Sequence, residues 1–285
     1  MRREAFGRNG RDVPVIGQGT WNLERAPRAE AVAALRAGLD AGASHIDTAE
    51  MYGSGAAERI VAEAIAGRRE EVFLVSKVLP YNASRAGTVA ACEASLKRLG
   101  TGRLDCFLLL WPGSLPLEET FAGFEDLVRA GKILTWGVSN FDAADLDAAL
   151  AALGGRRAAH QLVCNQVLYH LGERAIEHRV LPWCEREGLA LVAYSPFGHD
   201  DFPADSSRGG RVLAGIAAAH GTSPRAVALA FLARSPSVFT IPKAARAAHA
   251  SENAAAGALS LEPEEIVRID EAFPRGRARA SLPML

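Results

Sequence analysis

The chain lacks the features that would tie it to a bilayer, a polyanion or an oxidising compartment. No apolar run approaches the ~20 residues needed to span a membrane as a helix. Neither sign of charge dominates. Lys and Arg number 32 against 33 Asp and Glu, a formal net charge of -1, so nothing electrostatic favours nucleic acid or an anionic membrane. Cysteine is scarce and scattered, at Cys92, Cys106, Cys164 and Cys184, with no C-x-x-C pair. That pattern argues against a zinc-type cluster or a disulfide framework and fits a reduced cytoplasmic chain. Met1 to Arg11 is polar and charged and does not read as a secretory signal. Linkers, repeats and low-complexity segments are absent too, so a soluble intracellular protein is expected, its oligomeric state unreadable.

What the chain does have is apolar content and alternation. Hydrophobic residues make up 49% of 285, enough for a large core, at a length that suits one α/β barrel or two ordinary domains. Short β-branched or leucine-rich runs read as strands at Val13–Gly17, Ser44–Asp47, Val72–Ser76, Leu104–Leu110, Ile133–Val138, Gln161–Cys164, Leu189–Ala193 and Val238–Ile241. Between them, amphipathic segments such as Arg28–Ala41, Ala57–Ala66, Ser84–Leu99, Leu117–Ala130 and Asp142–Leu153 read as helices, with Gly42, Gly100, Gly131, Gly154 and Gly188 at their stops. Eight strands alternating with helices predict a single α/β domain over 1–285, a (β/α)8 TIM barrel. Phe6-Gly7-Arg8-Asn9-Gly10, ahead of the first strand, reads as a small hairpin that would plug the barrel's N-terminal end.

A barrel gathers its functional residues at strand C-terminal ends. Polar residues stand there repeatedly: Asp47, Lys77, Ser139-Asn140, Asn165-Gln166, Tyr194-Ser195 and Pro242-Lys243, with Leu110-Trp111 after the fourth strand. Any one of these could be a helix cap or a turn; together they suggest one shared pocket. Asp47, Tyr52 and Lys77 form a chemically sensible set. A tyrosine gives up a proton more readily when a neighbouring ammonium favours its phenolate and lowers its pKa, and a buried carboxylate keeps that ammonium charged and in place.

At these residues the chain resembles the aldo-keto reductase family, nearly end to end. The motifs are Gly17-Gln18-Gly19-Thr20-Trp21, His45-Ile46-Asp47-Thr48-Ala49-Glu50-Met51-Tyr52-Gly53, Val75-Ser76-Lys77, Trp136-Gly137-Val138-Ser139-Asn140-Phe141, Asn165-Gln166-Val167-Leu168-Tyr169-His170, Ala193-Tyr194-Ser195-Pro196, Ile241-Pro242-Lys243-Ala244 and Glu252-Asn253. The short chain and the Ile241 segment resemble the smaller bacterial members. The resemblance implies an NADPH-dependent oxidoreductase that reduces a small-molecule aldehyde or ketone. Tyr52 would be the proton donor, with Lys77 and Asp47 as its partners. Ser139, Asn140 and Gln166 would hold the nicotinamide carboxamide and Tyr194 would stack on its ring, fixing the face that offers hydride. Gly19, Thr20 and Trp21 would lie near the nicotinamide ribose, and Ser195, Phe197 and Gly198 along the pyrophosphate. Ile241, Lys243, Ala244, His249, Glu252 and Asn253 would serve the adenosine end, while Trp21, Tyr52, Leu110 and Trp111 would line the substrate site.

Two departures from the family pattern stand out. Histidine usually precedes Trp-Pro after the fourth strand, where it hydrogen-bonds the substrate carbonyl; here Leu110 stands before Trp111-Pro112. A lost donor of this kind costs on the order of 10² to 10³ in rate. The expectation is a working reductase with an apolar pocket and an unusual substrate. The alternative is a nicotinamide-binding sensor with little turnover; reduction of carbon–carbon double bonds would need a stronger acid at position 110 than leucine. At the adenosine end, His249 replaces an expected arginine. Histidine carries only part of a charge near neutral pH and lacks the guanidinium fork, so a reduced margin of NADPH over NADH is expected.

Gly53-Ser54-Gly55-Ala56-Ala57-Glu58 imitates the opening of a dinucleotide loop, but Glu58 stands where a third glycine would allow close packing, so it reads as a turn into a helix. His45, His160, His178 and His220 carry no expected role, Tyr169-His170 sits near the rim, and His199 lies in a polar strap, Gly198 to Gly210. Loops after the first, fourth and seventh strands and the tail from Phe273 to Leu285 are expected to set selectivity.

Overall fold

The opening hairpin forms from β1 (Arg3–Ala5) and β2 (Asp12–Pro14), antiparallel and joined through a 3-10 turn at Gly7–Asn9. The structure, a computed structural model, describes residues 1–155, 162–279 and 281–285. Eight parallel strands follow: β3 (Gln18–Gly19), β4 (His45–Asp47), β5 (Phe73–Val78), β6 (Leu104–Leu109), β7 (Ile133–Ser139), β8 (Leu162–Leu168), β9 (Ala190–Tyr194) and β10 (Val238–Thr240), each paired with the next in chain order. Ile16 bridges Thr240 and Gly19 bridges Lys243, which returns the last strand to the first and closes the expected (β/α)8 barrel. The closure is tight at Gly19, where a Cβ would lie 2.5 Å from the Ile241 carbonyl oxygen.

The strands are buried on both faces, which is why they read as near-continuous apolar runs. Alternation still sorts them. Phe73 and Val75 of β5 and Cys106 and Leu108 of β6 pack inside the barrel, whereas Leu74, Phe107 and Leu109 pack outward under the helices. By the same parity Lys77 and Leu110 face inward, as does Asp47, two residues after His45 on β4. Helix starts are set by local chemistry. Ser84 caps α3 (Arg85–Leu99), and Asp142 caps α5 (Ala143–Ala152) in a capping box with Asp145. Such caps each contribute ~1 kcal/mol.

Phe6 plugs the N-terminal end as expected. Its ring is buried against Phe73 (4.8 Å between centroids), Phe239 (4.9 Å) and His45 (5.6 Å). His45 is enclosed with neither ring nitrogen partnered, and burial, reinforced by Lys77, lowers its pKa to about 3, so it stays neutral.

Several boundaries differ from expectation. The Val13–Gly17 run splits, its first part pairing in the hairpin while the barrel strand is Gln18–Gly19. The apolar run belongs mainly to the hairpin and the join after it, where Ile16 bridges Thr240, while the barrel strand falls on Gln18 and Gly19, a pair without strand propensity that only tertiary pairing holds extended. Lys77 lies within β5 rather than at its end, and β8 runs on past Asn165 and Gln166 to Leu168. Gln161, the expected start of that strand, and His160 lie outside the described residues. All four cysteines are buried and free. No helix among the described residues is long and apolar enough to cross a membrane, and no cluster of His, Cys, Asp and Glu among them could hold a metal ion.

Candidate active site

Asp47 closes β4, and Lys77 reaches across from β5 to meet it with Nζ 2.5 Å from Asp47 Oδ1. The same ammonium donates to the Thr48 carbonyl at 2.8 Å and to the Tyr52 hydroxyl at 3.2 Å. Tyr52 opens a 3-10 turn, Tyr52–Gly55, in which Gly53 and Ser54 take the left-handed region at φ 54° and 51°. Gly53 is required there, since a Cβ would lie 2.6 Å from Glu24 Cγ. The turn leads into α2 (Ala56–Ala64), whose buried Glu58 accepts from Ser76 at 2.7 Å and pairs with Arg98. The Gly53–Glu58 segment is thus a structural turn, as the sequence indicated.

Lys77 donates all three of its hydrogens, and Asp47 is held on both sides. Its second oxygen accepts from Gln166 Nε2 at 2.8 Å, and its backbone carbonyl accepts from Thr20 Oγ1 at 2.9 Å. The Tyr52 hydroxyl, by contrast, accepts from Lys77 and donates to no described residue. Its proton faces the cavity.

The electrostatics differ from the sequence expectation in one respect. Burial, which penalises the phenolate, raises the pKa of Tyr52; Lys77 opposes this as expected, but Asp47 adds to it, and the net shift is upward. Burial pushes the Lys77 ammonium down, but Asp47 and Tyr52 overcome it and hold the lysine protonated. Burial likewise raises Asp47 against the pull of Lys77 and Gln166. The resting phenol is therefore a firmly protonated acid, and Lys77 supplies stabilisation when the proton leaves.

A cavity of about 660 Å³ opens over this set, a usual size for a small-molecule site. It is lined by Gly19, Thr20, Trp21, Asp47, Tyr52, Leu110, Trp111, Ser139, Asn140, Gln166, Tyr194, Ser195, Phe197, Gly198, Ile241 and Lys243, all singled out from the sequence. Lys77 sits behind this wall, fully buried. Ala244, His249, Glu252 and Asn253 do not line it; the last three lie on α9 (Ala247–Ala255), beyond Lys243. Tyr169 and His170 are also outside the wall, Tyr169 being bonded to Glu177 and Arg234.

A second network ties the far wall together. Tyr194 Oη donates to Asn140 Oδ1 at 2.9 Å, Asn140 Nδ2 donates to the Leu110 carbonyl at 3.1 Å, and Ser139 Oγ donates to the Gln166 carbonyl at 2.9 Å. Burial raises the Tyr194 phenol to about 12 despite an opposing backbone hydrogen bond from Leu285. Asn140 and Ser195 hold positive φ, 61° and 48°, strain of the kind that concentrates at functional sites. The Leu110 side chain is buried at the cavity wall and offers no polar atom.

Sequence reading did not single out Asn22, Arg25, Ala26, Met51, Pro196 and Asp200 on this wall, though it pointed to two of the loops that carry them. His199, named only as a strap residue, stacks on Trp21 with ring centroids 5.7 Å apart and 27° between planes.

A family model, the aldo/keto reductase family, matches residues 15–273. The chain belongs to that family. It is 45% identical over 275 residues to a methylglyoxal reductase, YeaE, of Escherichia coli, a match covering 96% of this chain and 95% of the relative. A glyoxal reductase of Bacillus subtilis is 31% identical over 262 residues, covering 92% and 90%. Among solved structures, an aldo-keto reductase from Klebsiella pneumoniae in complex with NADPH superposes with a TM-score of 0.91 at 41% identity, covering all of both chains.

Proposed function

We infer that this member of the family is an NADPH-dependent carbonyl reductase, its residues 1–285 acting as one domain, with Tyr52 as the proton donor. One observation carries the reading: the Tyr52 hydroxyl is bonded on its acceptor side by Lys77 and leaves its own proton facing a cavity. A pure binding protein would have no use for that arrangement. The NADPH complex of the Klebsiella relative supports the cofactor, and the methylglyoxal and glyoxal reductases support small carbonyl substrates.

The residues present fit such a cofactor. Gln166 Nε2 is committed to Asp47 while its side-chain oxygen, Oε1, accepts from none of the described residues, which suits a carboxamide beside Ser139 and Asn140. The Tyr194 ring offers a flat face, and the Lys243 ammonium lines the cavity without an ion-pair partner among the described residues, suited to a phosphate. When bound, the reduced nicotinamide supplies the hydride. The protein orients the carbonyl against Tyr52, and as negative charge grows on the carbonyl oxygen the phenol delivers its proton. Lys77 then stabilises the phenolate, and Asp47 keeps Lys77 charged and aimed through its 2.5 Å contact.

Leu110 leaves the carbonyl with one protein donor where the family has two, and turnover of simple aldehydes is expected to be slowed accordingly. The test is NADPH consumption with a panel of aldehydes and ketones, run for wild type and Tyr52→Phe. Carbonyl-dependent turnover lost in the variant supports the reading. Tight NADPH binding with no turnover above the variant on any carbonyl would favour the sensor instead.

A further inference from the structure

With Leu110 unable to orient a carbonyl, some other group must fix the substrate, and the wall of the cavity contains one. With Tyr52 and Leu110 the cavity wall carries Trp21, Ala26, Met51 and Trp111, the neutral polar groups Asn22 and Asn140, and the guanidinium of Arg25, on a turn whose Glu24 packs against Gly53 beside Tyr52. Arg25 ends a 3-10 turn, Leu23–Arg25, that follows the first barrel strand. The turn is firmly placed. Leu23 is fully buried, the Leu23 amide donates to Thr20 at 3.0 Å, and the Thr20 hydroxyl bonds the backbone of Asp47. The base of Arg25 is thereby fixed to the same backbone that carries the acid-generating set, while its exposed tip is free to reach a ligand.

The donors of Arg25 are unspent. Its side chain makes no hydrogen bond or ion pair with any described residue, whereas Arg28 of the next helix pairs with Glu63 and Arg98 with Glu58. The adjacent Glu24 does not serve as its counterion. That carboxylate packs beside Gly53, with one oxygen buried and unpartnered. Of the other charges on the wall, Asp47 is matched by Lys77, Lys243 follows the last barrel strand, and neither Asp200, on the strap after β9, nor the carboxylate of Leu285 forms an ion pair with Arg25. The wall that carries Tyr52 thus also holds a fork-shaped cation without an ion pair among the described residues.

Resting on the reductase reading above, we propose that Arg25 is a specificity-determining residue and that the preferred substrates are carbonyl compounds carrying a carboxylate. A guanidinium takes a carboxylate through two parallel hydrogen bonds and so fixes direction as well as position. Orientation that the family obtains at position 110 is supplied here from the opposite end of the substrate. In the reaction the carbonyl carbon gains a hydride from the reduced nicotinamide, which is oxidised, and the carbonyl oxygen gains the Tyr52 proton. The product is the hydroxy acid, its carboxylate unchanged.

The test compares matched substrates, 4-carboxybenzaldehyde against methyl 4-formylbenzoate and succinic semialdehyde against butanal, in wild type, Arg25→Gln and Arg25→Lys. Wild type should favour the acids by about tenfold or more in kcat/KM, mostly through KM, the size of one charge-assisted contact at an exposed site. Arg25→Gln should remove most of that preference, Arg25→Lys should retain part of it, and rising salt should erode it in wild type. Equal efficiency on acid and neutral partner in wild type, or a preference that survives in Arg25→Gln, would overturn the proposal while leaving the reductase intact. Absence of turnover on every substrate, methylglyoxal included, would overturn the reductase reading and this proposal with it.

Discussion

Two tyrosines in this molecule each sit between a cation and a carboxylate, with opposite consequences. Tyr52 accepts from Lys77 and has Asp47 behind it. Tyr169 accepts from Arg234 at 3.1 Å and donates to Glu177 at 2.6 Å. Burial leads in raising both phenols above their ordinary range. The difference lies in the hydroxyl proton. That of Tyr169 is spent on Glu177, which also takes Arg174 twice and Arg275, in a knot that fastens the segment after α10 (Pro263–Ala272) through Arg174 to Phe273. That of Tyr52 has no acceptor among the described residues, on a side chain that lines the cavity. A shifted pKa marks both places alike; an uncommitted proton with access to a ligand marks only one as chemistry.

The sharpest way to break the comparison is Tyr52→Phe, which should lower kcat for carbonyl reduction by about 10³ while leaving the thermal midpoint unchanged, since general acid catalysis is worth roughly 10² to 10⁴. Because reduction needs the protonated phenol and the pKa of Tyr52 is raised, the chemical step should not decline until pH exceeds the ordinary tyrosine range. A single-turnover pH profile declining between pH 7 and 9 would show the phenol to be depressed instead.

The opposite signature belongs to the second cluster. Glu177→Gln should destabilise the fold by about 2 kcal/mol, because it removes one of the two carboxylates that pair with buried Arg174, and should leave kcat/KM unchanged. The pH dependence has a definite sign. Burial works to raise Glu177, but Arg174, Tyr169 and Arg234 outweigh it and hold its pKa below the usual carboxylate value. Its stabilisation is therefore complete above the unfolded value and is lost as pH falls through the folded one. Denaturant titrations of wild type and variant should differ most near neutrality and converge in acid. A constant gap down to pH 3 would assign the loss to packing alone.

Leu110→His tests a smaller effect. A second donor beside Tyr52 should raise kcat/KM on butanal by about tenfold, below the full range for an oxyanion donor because the Asn140 bond to the backbone at position 110 already fixes that wall. No gain would mean that the wall cannot aim an imidazole at the carbonyl.

Much of this was legible in the sequence, for identifiable reasons. Strands such as Leu104–Leu109 are buried on both faces and announce themselves as apolar runs, and helix starts such as Asp142 carry their own caps. The Asp47, Tyr52 and Lys77 set was legible because its residues keep fixed places relative to strand ends. The split of Val13–Gly17 was not, since the barrel strand falls on Gln18 and Gly19, which carry no strand signal of their own. Nor was the upward shift of Tyr52, because neighbouring charges can be named from a motif but the depth of burial cannot. Arg25 escaped notice for a third reason: a loop arginine looks like any surface arginine until the turn at Leu23–Arg25 places it on the cavity wall.

The Phe6 plug has a consequence for traffic. With its ring wedged among Phe73, Phe239 and His45, the barrel has no back exit, and the cavity is a cul-de-sac. Whatever lies deepest against Tyr52 must depart by the side on which it entered, along a wall that carries the stacked Trp21 and His199.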